Sequence, residues 1–252
     1  MKSTIRNSFL SVEYRLWQVL VQANWVITET GVPLTAVAGA SGTYTSLDIP
    51  FPWCFLDSNG LNPTRDRVKI YENAALVDPA DYTLDFRNRT VTFKVPPTGT
   101  VTADLDYFAC SVIENFEEEQ DQVNSVPMKI ARMPLIAYGL SGMTGIPFAI
   151  GTTAIDRNYT LIINASCIND GQKKDLADDL VTRLMAIPLL DFSAGEFLTS
   201  TGEANLGFDA TEQQVSHFRV SAIRCSFPDP HRGGSDSQKH RLVFSATLKN
   251  VV

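Results

Sequence analysis

Histidines and carboxylates gather near the C-terminus, where they could ligate a metal ion. All three histidines, His217, His231 and His240, lie there, and Asp229 and Asp236 accompany the last two. A metal centre needs three or four donors held in place by supporting contacts. The polar, glycine-bearing loop in this region offers only four such donors, Asp229, His231, Asp236 and His240. The sequence therefore favours solvated imidazoles, and we predict no metal site.

The motifs of common catalytic sites are missing from the chain. There is no G-x-S-x-G nucleophile turn, no G-x-x-x-x-G-K-[ST] phosphate loop, no H-E-x-x-H zinc helix and no G-x-G-x-x-G turn after a strand. A Ser, a His and an Asp brought together by folding stay open as a triad, but nothing in the sequence marks a nucleophile. We therefore predict a protein without catalytic residues and without a cofactor.

The four cysteines are too far apart for the usual metal or redox spacings. Cys54, Cys110, Cys167 and Cys225 are each separated by more than fifty residues, with no C-x-x-C pair. Three of them lie within apolar or strand-like patterns. Buried free thiols, as in a reducing cytoplasm, are the prediction.

An acidic stretch at residues 114–121 could suggest a cation site. A calcium loop, however, places its ligands at alternating positions around a glycine turn, and no D-x-D-x-D-G pattern occurs here. The stretch is more typical of a solvated segment. We interpret residues 113–127 as an acidic connector.

Composition and charge limit the classes of protein to which the chain can belong. It has 252 residues, is 44% hydrophobic and 19% charged, and carries 21 Lys+Arg against 28 Asp+Glu, for a net charge of -7. These values exclude disordered and collagen-like chains. An acidic protein does not condense as a whole on nucleic acid or on an anionic membrane, so any DNA contact must be local or steric.

The first residues indicate neither a membrane span nor a leader. No stretch approaches the roughly 18 consecutive apolar residues of a membrane-spanning helix. The opening residues are polar, and the apolar run after them is interrupted by Glu13, Arg15 and Gln18. A secretory signal is therefore a poor interpretation, and we expect the mature protein to begin at Met1.

The elements that must position these residues begin with a helix. From Ser8 to Ala23, apolar residues recur at three- and four-residue steps, with Asn7 and Ser8 as candidate N-caps. A second apolar set lies off this face and consists of Leu10, Tyr14, Trp17 and Val21. Two explanations stay open: a helix enclosed within its own domain, or one that also contacts a neighbouring subunit.

A small antiparallel β domain is predicted at residues 43–112. Apolar residues alternate over 47–51, 68–70, 82–86 and 91–95, and most clearly from Val101 to Ala109. Turn sequences separate these runs, among them Asp78-Pro79-Ala80-Asp81 and Pro96-Pro97-Thr98-Gly99.

The rest of the chain predicts a mixed α/β domain, formed by residues 1–30 and 128–252. A strand runs from Tyr159 to Cys167, and Asn169 caps a helix with Leu176, Leu180 and Leu184 on its apolar stripe. Pro188 is expected to end that helix. Two closing strands, 218–227 and 242–252, flank a polar loop at 228–239. The fold class is α+β, with the β domain inserted.

This order of elements resembles the tail terminator and neck proteins of tailed bacteriophages. The similarity lies in Asn158 to Cys167, then Asp170-Gly171-Gln172-Lys173-Lys174-Asp175-Leu176-Ala177-Asp178-Asp179-Leu180, then the two closing strands. It covers roughly residues 5–25 and 130–252, as a pattern of elements. Parts of the β insertion, such as 81–85 and 97–104, look like a β module common in phage virion proteins.

The resemblance implies a structural virion protein, assembled in the host cytoplasm. It implies a ring of copies, expected to be a hexamer, at the neck or the head-proximal end of the tail, joining tail to head. Its partners would be itself and other neck and tail-tube proteins. Genomic DNA would pass through the lumen without specific binding, and no membrane is involved. The candidate interaction residues are Leu10, Tyr14, Trp17, His231, Arg232 and Lys239.

A different class stays open as the alternative. The β module and its aromatic residues would also suit a tail or baseplate protein that binds a receptor or a glycan. A ring component should bury the first helix or a sheet edge between copies, the terminal strand 242–252 being the expected edge. A receptor binder should show an aromatic-lined groove or trimeric packing.

Overall fold

The structure, a computed structural model, describes residues 5–114, 134–147, 155–227 and 240–251. It has the predicted α+β class. The chain divides into two units. Residues 20–109 and 193–210 form the β unit, and residues 1–19, 110–192 and 211–252 form the helix–sheet unit.

The N-terminal helix α1 spans Ile5–Gln22, as the apolar periodicity predicts. It starts before the expected caps, so Asn7 and Ser8 lie inside it. Ser8 is fully buried, and its hydroxyl donates to the hydroxyl of Tyr159 at 3.3 Å. The helix ends in a Schellman turn, in which Asn24 adopts a left-handed φ of 60° and the N–H of Trp25 donates to Leu20 O at 2.8 Å.

The β unit contains two four-stranded antiparallel sheets, with strand orders β1-β8-β4-β5 and β2-β3-β7-β6. The strands in chain order are β1 Val26–Pro33, β2 Thr35–Ala36, β3 Thr43–Thr45, β4 Val68–Glu72, β5 Ala75–Leu76, β6 Tyr82–Asp85, β7 Thr90–Phe93 and β8 Val101–Phe108.

The predicted alternation is confirmed in β4, β6, β7 and β8. In β8 the side chains of Val101, Ala103, Leu105 and Tyr107 are all buried. The expected strand at 47–51 is wrong, because no strand forms there and Leu47 is 70% exposed. Ile49 is buried, since the irregular chain turns this side chain inward without strand pairing.

The bounds of the β unit differ from the expected 43–112, because residues 20–42 and 193–210 also belong to it, whereas residues 110–112 belong to the helix–sheet unit. Phe197 stacks on Phe55 with ring centroids 5.6 Å apart, and Phe86 N donates to Gly202 O at 3.0 Å. Gly202 has a φ of 78°, and a side chain there would collide with Asp85. A stretch distant in sequence thus supplies part of this aromatic core.

The helix–sheet unit adds a curled, mixed half-barrel sheet and a second helix. The sheet has six strands in the order β12-β13-β14-β11-β10-β9, antiparallel except for the β9–β10 pair. The remaining elements are β9 Ser111–Glu114, β10 Leu135–Pro147, β11 Ile155–Ser166, α2 Asp170–Arg183, β12 Ala186–Leu190, β13 Gln214–Ser226 and β14 Arg241–Val251. Residues 113 and 114 of the expected connector belong to β9; residues 115–127 lie outside the described ranges.

Helix α2 confirms the predicted cap and apolar stripe. Asn169 Oδ1 accepts from Gln172 N at 2.9 Å, while Gln172 Oε1 accepts from Ile168 N at 2.9 Å. Leu176, Leu180 and Leu184 are fully buried. The expected role of Pro188 is wrong.

Pro188 lies within β12, after the helix has ended at Arg183. Strand β12 is an edge strand, the position in a sheet that accommodates a residue without an N–H. The last turn of α2 is instead closed by Leu184 N, which donates to Leu180 O at 3.0 Å.

Candidate interaction surfaces

Helix α1 is held within the helix–sheet unit by polar contacts along its length. Arg15 Nη2 donates to Arg183 O at 2.7 Å, and Ser11 Oγ accepts from Leu190 N at 3.0 Å. Burial, and then the neighbouring charge of Arg183, lower the pKa of Arg15. Ser8, Ser11 and Gln18 are buried as well. The helix is therefore enclosed on its polar side as well as its apolar side.

Burial within the chain favours the first of the two explanations left open for the second apolar set, a helix enclosed within its own domain. Tyr14 is 0% exposed and Trp17 is 4% exposed within a single chain. Trp17 Nε1 lies 3.4 Å from Glu13 Oε1, one turn earlier. Neither ring offers surface to a second copy in this conformation, because the chain's own packing already covers both. Leu10 is half-buried.

The other three expected interaction residues, His231, Arg232 and Lys239, lie outside the described residues, as does the whole polar loop 228–239. Their predicted role stays a prediction.

The terminal strand does not form the expected sheet edge. β14 lies between β11 and β13 and pairs with both along most of its length. The apolar alternation of Leu242, Phe244, Ala246 and Leu248 marks the buried face of an internal strand. Alternation alone predicts which face is buried, and it does not distinguish an internal strand from an edge.

The edges of the six-stranded sheet are instead formed by two short strands that cover only part of their neighbours. β9 pairs with positions 135–138 of β10, so 139–147 have no strand partner on that side within the described chain. β12 pairs with positions 214–219 of β13, and 221–226 are similarly uncovered in the described residues. We call 139–147 and 221–226 the open edge segments.

Strand β12 itself is poorly suited to pairing. Pro188 has no N–H to offer, and the N–H of Leu190 already donates to Ser11 on α1. A proline and a covered edge are devices that prevent strand addition. Among the parts of the sheet border described, the open edge segments lack such protection by a neighbouring strand.

The two faces of this sheet differ in character. Alternate residues such as Phe244, Leu161 and Phe218 are buried on the face that carries the helices, since α2 contacts β13 and β14 and α1 bonds to β11 and β12. The opposite side chains belong to what we call the open face. Its central part comprises Asn158, Thr160, Ile162 and Asn164 of β11, Arg241, Val243, Ser245, Thr247 and Lys249 of β14, and His217, Arg219, Ser221, Arg224 and Ser226 of β13.

Basic residues are concentrated on the open face. Arg219 lies directly opposite Lys249, and Arg224 lies opposite Ser245 after a bulge between Ser221 and Arg224. Arg219, Arg224 and Lys249 are exposed, while Arg241 is half-buried. No Asp or Glu occurs among the side chains described for this central part.

Sequence reasoning missed this cluster, although part of its signal was present. Arg219 alternates with the buried Phe218 and Val220, which predicts that it faces outward. The register that sets Arg219 against Lys249, and the bulge at Ala222 with its φ of 52°, depend on long-range pairing. A single sequence does not specify either.

A smaller polar cluster lies where α2 begins. Asp170 Oδ1 lies 2.6 Å from Lys173 Nζ and 3.3 Å from His240 Nδ1. Hydrogen bonds from Lys173 and then from His240 hold the pKa of Asp170 below its ordinary value. Lys173 Nζ also lies 5.2 Å from the ring centroid of Phe227. These contacts tie the helix start to the ends of β13 and β14, which is a structural role.

The β unit carries a groove of about 360 Å³. Phe93 is the one aromatic residue that lines it, and that ring is 7% exposed. Glu72 Oε1 accepts from Thr98 N at 2.8 Å and from Gly99 N at 3.0 Å, so this carboxylate closes a loop. The groove lacks the exposed aromatic lining typical of glycan sites.

Metal centres and membrane-spanning helices are both missing from the described residues. Among the described residues, no group of three or more His, Cys, Asp or Glu side chains is arranged to hold a metal ion. The helices described include none that is long and apolar enough to span a membrane.

No protein-family model matches the chain, and no curated protein matches it either.

Proposed function

We propose that this protein is a structural virion protein of a tailed bacteriophage. It forms a ring at the neck or at the head-proximal end of the tail and joins the tail to the head. Its partners are further copies of itself, six in the ring that the sequence resemblance implies, together with neighbouring neck and tail-tube proteins. Genomic DNA passes through the lumen. The proposal rests on the order of elements and on the borders of the six-stranded sheet.

The observation that carries the proposal is the pair of open edge segments. A strand with an unpaired edge is a template for another strand. β10 pairs antiparallel with β11, β11 with β14, and β14 with β13, so β10 and β13 run in opposite directions. Segment 139–147 of one copy can therefore meet segment 221–226 of the next as an antiparallel pair. Such a head-to-tail contact joins two different surfaces, and it closes into a ring when the rotation permits.

The position of the segments also favours propagation around a ring over a two-fold dimer. They lie on opposite borders of the sheet and toward opposite ends of the strands. A two-fold contact would pair a segment with its own copy and would leave the other segment open. The ring uses both segments in every subunit.

Edge variants test this mode of assembly in the purified full-length protein. Ser141→Lys and Ser221→Lys each place a charge on an exposed position of an open edge segment, and Thr182→Lys places the same charge on the exposed side of α2. We expect light scattering to give the unmodified protein about six times the 27.8 kDa chain mass. The two edge variants should be smaller, whereas the helix variant should match the unmodified protein. Equal masses for all four proteins would contradict the proposal.

Location in the particle is tested separately. Antibodies raised against the protein should label purified virions at the junction between head and tail. Labelling at the distal end of the tail or along fibres would instead favour the alternative function, a tail or baseplate protein that binds a receptor or glycan.

A further inference from the structure

The open face of the six-stranded sheet has a charge opposite to that of the protein as a whole. The chain has a net charge of -7, yet this face presents Arg219, Arg224 and Lys249 as exposed cations with Arg241 half-buried beside them. Helix α2 on the other side of the sheet carries charges of both signs, among them the exposed Asp175, Asp178 and Lys174. The open face is therefore basic, although the chain as a whole is acidic.

The register of β13 and β14 places like charges next to each other, which destabilises this pair of strands unless an opposite charge is nearby. Arg219 and Lys249 are directly opposite each other. Like charges at such a cross-strand pair are destabilising. Neither of them forms an ion pair with another described residue. An anion above the face would offset the repulsion.

The spacing of the cations suits an extended polyanion better than a single small anion. Three positions of β14 recur at intervals of four residues: Arg241, Ser245, which lies opposite Arg224, and Lys249. At about 3.4 Å per residue, each interval is about 14 Å. Between them lie hydroxyl and amide side chains, including Thr247, Ser245 and Asn164, which can donate hydrogen bonds to phosphate oxygens.

We infer that the open face of the six-stranded sheet is a contact surface for the phosphate backbone of double-stranded DNA. Cations and short polar side chains on a broad sheet contact phosphates without reading bases, so the binding is independent of sequence. The binding is weak because only a few cations contact phosphates, and screening at about 0.1 M salt limits each of them to a range of about 10 Å. A weak contact permits DNA to slide. This inference rests on the proposed ring only in assigning the face to the lumen; the DNA contact itself is tested without the ring.

The test uses the full-length protein and a short fluorescein-labelled DNA duplex of mixed sequence. Binding is followed by fluorescence anisotropy from about 20 to 200 mM salt, over which phosphate contacts lose affinity. The variant Arg219→Ser/Arg224→Ser/Lys249→Ser removes three exposed cations of the open face. The control Lys69→Ser/Lys94→Ser/Lys174→Ser removes three exposed cations elsewhere, with the same change in net charge.

We expect the open-face variant to bind DNA at least tenfold more weakly than the unmodified protein, with a salt slope smaller by up to about 2.7, for three contacts at about 0.9 each. The control should keep most of the affinity. Absence of binding by the unmodified protein at the lowest salt would overturn the inference, as would equal losses in both variants. Displacement of the DNA by polyglutamate at matched charge concentration would also overturn it, in favour of an acidic protein partner.

Light scattering on the same samples keeps the two proposals apart. A protein that assembles into rings but does not bind the duplex overturns the DNA contact alone. A protein that binds the duplex through the open face but stays monomeric supports the contact and counts against the ring.

Discussion

At the scale of single residues, burial lowers the reactivity of the cysteine thiols. Cys54, Cys110 and Cys167 are buried, as the sequence predicts, and Cys225 is half-buried. Burial raises the pKa of Cys54 to about 11 and that of Cys167 to about 11, and it raises the pKa of Cys110 further. The thiolate is the reactive form. These side chains therefore act as small apolar groups in the folded protein.

Thiol labelling tests this account. At pH 8 we expect a disulfide reagent such as dithionitrobenzoate to react in the native protein with Cys225 at most, because the other three thiols are buried and have a raised pKa. Unfolding in guanidinium should release all four thiols. Rapid reaction of two or more thiols in the native protein would contradict the packing described.

At the scale of elements, α2 is where local signals and tertiary structure agree most closely. Leu180→Asp should destabilise the fold by about 3 kcal/mol or more and reduce soluble expression, because it buries an unpaired charge. The neighbouring Val181 is 36% exposed, so Val181→Asp should change the free energy of unfolding by about 0.5 kcal/mol or less. Chemical denaturation of both variants measures the difference. Similar effects at the two positions would argue against this packing.

How far the sequence predicts an element depends on whether its signal is local. The helices, β8 and the hairpin of β6 and β7 follow from periodicity and turn residues that act within a few positions. The placement of Phe197 in the β unit does not, because its partner Phe55 lies far away in sequence. Pro188 shows the same limit: a proline predicts a break, and only the sheet order shows that it occupies an edge strand.

The candidate surfaces were predictable only in part. Trp17 and Tyr14 form an apolar set that predicts contact, and the sequence alone leaves open whether the contact lies within the chain or between chains. The structure places both side chains inside. The open edge segments depend on how far β9 and β12 extend beside β10 and β13, which is a property of register.

At the scale of the whole molecule, the borders and the open face of the six-stranded sheet bear on assembly. The proposed ring assigns the contacts between copies to the open edge segments, which have no neighbouring strand within the described residues. The inferred DNA contact assigns the surface toward the nucleic acid to the basic open face. The open edge segments and the basic open face are separate features, so an experiment can contradict the ring without contradicting the DNA contact, and the reverse.

Electron cryomicroscopy of the purified full-length protein tests the proposed ring directly. We expect closed rings in which residues 139–147 of each copy pair antiparallel with residues 221–226 of the next. Monomers, trimeric fibres, or rings joined through other surfaces would contradict it.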